Sequence, residues 1–187
     1  MSIKYNSPVI LTFALICTAV FFADKFLAGT LMGFFSVGTT VNWTDPISIF
    51  SLFSHVIGHG SMEHLLGNMT FVLLLGPIIE EKYGSRFTIM MIVATAFITG
   101  ILNISFFSTG LLGASGIVFM LILLVSFTNV KGGQIPLTFI LVALLFVGKE
   151  VIQSLGTDHV SQFAHIIGGV CGSIFGFVAK KEKKMVT

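Results

Sequence analysis

Apolar residues in this chain gather in long runs, broken by short polar or glycine-rich stretches, and do not alternate with polar ones. A helix needs about 20 apolar residues to cross the hydrocarbon of a bilayer, so the runs predict membrane-spanning helices over residues 8–27, 62–79, 87–107, 112–128, 135–152 and 160–179. The breaks between them carry helix-end signals. Ser7 and Pro8 read as the cap and first helical residue of the first span, and Tyr83 to Arg86 as a tight turn. Residues 28–61 form a long first outer loop. Gly29, Gly33, Gly38 and Pro46 interrupt the helical pattern there, while Phe35, Trp43, Phe50 and Phe53 keep it apolar. Such a loop is predicted to lie at the membrane interface with Trp43 at headgroup depth.

Composition sharpens this picture. The chain has 187 residues, 55% hydrophobic and 10% charged, with a mean hydropathy of +1.00, against the roughly 25% charged residues of an ordinary soluble domain. Six spans and their connections use up nearly the whole length, so residues 1–187 read as a single all-α integral membrane domain, a six-helix bundle with its function inside the membrane. The net charge of +2 gives no reason to expect nucleic acid as a partner. The placement of the bases is more informative. With both termini cytoplasmic, Lys4, Lys82, Arg86, Lys131 and the lysines of the tail from Lys180 to Lys184 all lie inside, leaving Lys25 and Lys149 near the outer face. The first run has a signal-peptide-like flavour, but it is long enough to span and lacks a clean small-x-small site, so it reads as a retained helix. Cys17 and Cys171 sit within apolar runs and read as small buried hydrophobes, not as a disulfide.

An inside start makes the second, fourth and sixth spans run from outside to inside, so their first turns share one depth. His64 and Asn68 fall in the first turns of the second span, Ser115 at the start of the fourth, and His165 in the second turn of the sixth. His64 and Asn68 are four apart and share a helical stripe, as do His165, Gly168, Gly172 and Gly176. The glycine stripe lets a neighbouring backbone come close. With Gly113 and Gly116 thinning the facing helix, Ser115 and His165 can meet as a nucleophile and its general base, and the implied reaction is peptide hydrolysis. Donors for the tetrahedral oxyanion are the backbone N–H groups around Gly113, the amide of Asn68 and an N–H of His64. No carboxylate completes a triad: Glu80, Glu81 and Glu182 fall on the wrong face, Asp158 lies in a loop, and Glu63 points away from His64.

The series His55, His59, Gly60, His64, Asn68 and Met69, then Gly76, Glu80, Gly84 and Phe87, then Gly113-Ala114-Ser115-Gly116, then Ala164-His165 with Gly168 and Gly172, resembles the rhomboid family of intramembrane serine proteases. The resemblance implies a six-helix core with a Ser115 and His165 dyad opening to the outer side, and oxyanion stabilisation by His64 and Asn68. It also implies cleavage of transmembrane protein substrates near helix-destabilising residues, without metal, ATP or other cofactor. In the family the fifth helix and the first loop are thought to govern lateral access, here residues 135–152 and 29–54. Two positions depart from the pattern. Phe50 and Ser51 stand where many bacterial members carry Trp-Arg, and Phe119 stands where the aromatic after the serine is often Tyr; Phe119 still suits packing against His165. A minimal core without organelle-targeting features reads as a protein of the bacterial plasma (inner) membrane, with lipids and membrane-protein substrates as its partners.

Rival readings stay open at this point. Ser115 could bond back to its own helix. His55, His59 and His64 do not fit the His-Glu-x-x-His zinc pattern and have no cysteine ligands beside them, so they read as fastening the first loop, not as metal ligands. Lys149 could pair with Ser115 in a serine–lysine hydrolase. The same scaffold could also be a catalytically inactive rhomboid-like binding or translocation factor, or a transporter, although repeat symmetry is missing.

Overall fold

The computed structural model describes residues 4–126, 135, 137–154 and 160–178. Among them are seven α-helices: α1 (Pro8–Phe26), α2 (Pro46–Ser54), α3 (Met62–Tyr83), α4 (Ser85–Phe106), α5 (Ser115–Val125), α6 (Leu137–Ser154) and α7 (Val160–Val178). By length and apolarity α1, α3 and α4 are each able to cross a membrane. The other three expected spans correspond to α5, α6 and α7.

Helix α5 is the centre of the bundle. Eight of its 11 residues are buried, so it has no lipid-facing stripe, and α3, α4 and α7 all pack on it. At about 1.5 Å per residue it is only about 16 Å long, roughly half the hydrocarbon thickness. It begins later than the apolar run predicts, at Ser115 and not at residue 112. Leu111 to Ala114 form an irregular entry whose Leu111 and Ala114 are buried. Leu111 pairs there with Val37 of the first loop in a two-bond bridge, 2.9 Å each way. That pairing satisfies backbone groups that a non-helical segment inside the protein would otherwise leave bare.

The first loop is more ordered than its glycines suggest. It contains a 3-10 turn over Met32–Phe34 and all of α2. Asp45 caps α2, accepting from the Ile47 and Ser48 amides at 3.1 and 3.2 Å, with Pro46 as the first helical residue.

At the opposite end, α3 continues four residues beyond the predicted stop at Ile79, because Glu80 has a structural task. Its buried carboxylate accepts from the Val9 and Ile10 amides at 3.0 Å each and from the Ser85 hydroxyl at 2.6 Å. Ser7 therefore does not cap α1: its backbone is left-handed at φ 46° and its side chain makes no cap bond. The capping role passes to an acid on another helix, where it meets both the free amides and the positive end of the α1 dipole. Cys17 and Cys171 are buried free thiols.

Candidate active site

The site is assembled from three chain segments that meet around the start of α5. The first contact is between α5 and α7. Gly168 lies so close to the Gly116 carbonyl, and Gly172 to the Met120 carbonyl, that a β-carbon at either position would collide with backbone. A β-carbon on Gly116 would in turn stand 3.4 Å from the Ala164 carbonyl. Glycines thus set α5 and α7 nearly in backbone contact, with Gly116 against the turn that carries Ala164 and His165. One turn along α5 from Ser115, the Phe119 ring stacks on the His165 imidazole, centroids 4.0 Å apart and planes within 13°. Ser115 and His165 are both partly buried.

The second segment is the beginning of α3. Its N-cap is Ser61, whose hydroxyl accepts from the His64 amide at 3.2 Å. The His64 ring lies directly against Gly113. Gly113 has φ +115°, a conformation that a residue with a β-carbon rarely adopts, and any such carbon would run into the imidazole. Its amide is already engaged, donating to the His55 carbonyl at 2.9 Å. The next amides, at the start of α5, face no side-chain cap, which leaves a helix N-terminus open at the serine.

The third segment is the histidine-bearing end of the first loop. His59 donates from Nδ1 to the Ile57 carbonyl at 2.9 Å, which fixes its tautomer, and Nε2 then accepts from the Asn68 amide at 3.2 Å. The His59 and His64 rings meet edge to face at 5.0 Å. One N–H of Asn68 is thereby committed to His59. His55 is held at Nδ1 by the Ser51 carbonyl at 3.2 Å, with the Thr99 hydroxyl 3.3 Å from Nε2. Burial pushes both imidazoles down to about 4, so each is neutral at ordinary pH.

Gly116, Phe119, Gly168 and Gly172 join α5 to α7, His64 stands against Gly113, Asn68 is tied to His59, and His55 and His59 hold the end of the first loop. The side chains of Lys149 and Ser161, and the basic residues Lys131 and Lys180 to Lys184, lie outside the described residues. Among the described residues no cluster of three or more His, Cys, Asp or Glu could hold a metal.

The sequence reading overlooked a polar stripe on α4. Thr88, Thr95, Thr99 and Asn103 are all buried. Thr99 supports His55, and Asn103 donates to the Thr109 carbonyl at 2.8 Å, steadying the segment that leads into Gly113. Their spacing of seven, four and four within an apolar run was the available signal.

Comparison with known proteins adds ancestry to the geometry. A family model described as the Rhomboid domain matches residues 46–182. The Rhomboid protease GlpG of Haemophilus influenzae is 27% identical over 139 residues, covering 73% of this chain and 72% of that one. The proteins of the same name from Salmonella paratyphi A and Salmonella choleraesuis are each 27% identical, over 182 and 164 residues. The chain spans 63% and 58% of those two.

Proposed function

This chain belongs to the rhomboid family of membrane proteins, and from that premise we propose that it is an intramembrane serine endopeptidase with Ser115 as nucleophile and His165 as general base. The observation that carries the reading is the glycine-mediated contact of α5 with α7, which brings the Phe119 ring onto His165 one turn from Ser115.

In the reaction, Nε2 of His165 takes the Ser115 hydroxyl proton as Oγ attacks a substrate carbonyl carbon. Negative charge collects on the carbonyl oxygen, where the free amides at the start of α5, the second N–H of Asn68 and the His64 ring donate to it. The C–N bond then breaks, and His165 returns the proton to the leaving amine. Water, deprotonated by the same imidazole, releases the acyl group from Ser115. Gly113 is needed for its shape, since a side chain there would occupy the space that the His64 ring fills.

The substrate is a transmembrane protein. A helix in lipid keeps its peptide bonds hydrogen-bonded to one another, so a stretch must unwind before Oγ can reach a carbonyl. Substrates with Gly or Pro near the outer end of their span unwind more easily and are cleaved faster. We place the protein as a single six-span domain in a bacterial plasma membrane, both termini cytoplasmic and the site toward the outer face. The asymmetry of the basic residues supports that orientation.

The test uses purified protein in detergent with a model single-span substrate. Ser115→Ala and His165→Ala abolish cleavage, Lys149→Ala keeps most of it, and a fluorophosphonate labels Ser115 only when His165 is present. Cleavage by the Ser115→Ala protein, or loss with Lys149→Ala and retention with His165→Ala, overturns the assignment. Stable substrate binding without cleavage or labelling would point to an inactive binding factor.

A further inference from the structure

Between the first halves of α1 and α4 lies an apolar groove of about 390 Å³, lined by Val9, Thr12, Ile16, Ile89, Ile92 and Val93 among others. This volume falls in the range of small-molecule sites. Along α1 it reaches from Pro8 to Ile16, about 12 Å at 1.5 Å per residue. That is close to the depth of one leaflet's hydrocarbon, about 15 Å.

Both helices begin at the same level, because the single Glu80 carboxylate binds the Val9 and Ile10 amides of α1 and the Ser85 hydroxyl of α4. One end of the groove is therefore a common edge, and two cations flank it. Arg86 is exposed and shares a helical stripe with Ile89 and Val93, three and seven residues on. Lys4 is also exposed, and the neighbouring Tyr5 hydroxyl is 3.0 Å from that of Thr12, which folds the N-terminal segment back toward the groove. Glu80 is occupied internally and offsets neither cation from outside. Glu81 and Lys82 follow on α3 with opposite charges.

We propose that this groove is a binding site for an anionic glycerophospholipid of the leaflet at the Lys4 and Arg86 edge. One acyl chain lies between α1 and α4, and the phosphate sits by the two cations. A slot facing hydrocarbon takes an acyl chain, since no water is there to fill it. Swapping one lipid tail for another gains little, because tails are as apolar as the groove walls. The headgroup therefore selects the occupant, and each basic residue near a membrane surface favours an anionic lipid by about fivefold. The proposal does not depend on Ser115 or on proteolysis.

Native mass spectrometry of the full-length protein, released from micelles holding equal mole fractions of phosphatidylglycerol and phosphatidylcholine, tests it. The wild-type protein retains phosphatidylglycerol preferentially. Arg86→Gln lowers the ratio of the two bound lipids about fivefold, Lys4→Gln added to it lowers the ratio further, and Arg86→Lys keeps most of the preference. Ile89→Trp fills the groove and reduces retention of both lipids, whereas Leu74→Trp on the exposed face of α3 changes neither. Equal retention of the two lipids by the wild type overturns the proposal, as does an unchanged ratio in Arg86→Gln or unchanged retention in Ile89→Trp. Circular dichroism of each variant guards against loss of fold.

Discussion

The Phe119 and His165 rings lie parallel, their centroids 4.0 Å apart and their planes within 13° of each other. A ring against one face of the α7 imidazole limits its freedom to turn, and in the proposed dyad this keeps it toward the Ser115 hydroxyl of α5. Aromatic pairs of this kind contribute about 0.5–1.5 kcal/mol beyond area burial. Phe119→Ala should therefore lower kcat/KM by about 2–10-fold in the fraction that stays folded, on top of a loss of stability from the cavity it leaves in the core, and Phe119→Tyr should keep nearly full rate. Steady-state cleavage of a model substrate measures both. Equal rates for the wild type and the alanine variant would show that the stack does not hold the base.

Gly168 and Gly172 touch carbonyls of α5, whereas Gly67 on α3 has open space where a β-carbon would go. Gly168→Ala and Gly172→Ala should each destabilise the protein by about 1–3 kcal/mol, since the neighbour is backbone and cannot step aside. Gly168→Ala should also cut activity, because it lies one turn from His165. Gly67→Ala should leave both properties unchanged. Thermal unfolding in detergent, followed alongside cleavage, checks the series.

Glu80 joins the starts of α1 and α4 through three hydrogen bonds. Glu80→Ala leaves the buried Ile10 amide and the part-buried Val9 amide without an acceptor and should cost about 1–3 kcal/mol. Ser7→Ala should be close to neutral, because the Ser7 side chain caps nothing. A lowered Tm in the first and an unchanged Tm in the second would separate the two readings of this helix end.

Burial holds the His55 and His59 imidazoles at about 4, against an ordinary value of 6.5. Between those limits the unfolded chain binds protons that the folded one does not, so stability should be full above about pH 6.5 and fall as pH drops toward 4. His59→Gln removes one titrating ring and should flatten that slope. Unfolding temperatures across the range test the sign, and stability that rises on acidification would contradict it.

Much of the protein was legible in its residues, for physical reasons that can be stated. Apolar runs of bilayer length force helices, because unpaired peptide groups cannot be left in hydrocarbon, and the runs marked α1, α4 and α7 to within a residue or two of their ends. Ser115, His165, His64 and Asn68 stood out because polar groups inside such runs are costly and rare. What the runs could not convey was anything made between segments. The cap of α1 by Glu80, the pairing of Val37 with Leu111 and the service of Thr99 to His55 each join residues 20 or more positions apart. No local pattern encodes them. The late start of α5 at Ser115 likewise follows from a bridge to the first loop and from a left-handed Gly113 fitted to the His64 ring. Hydropathy along the chain determines which stretches must be helical, and only the packing of those helices decides which buried polar atoms find one another.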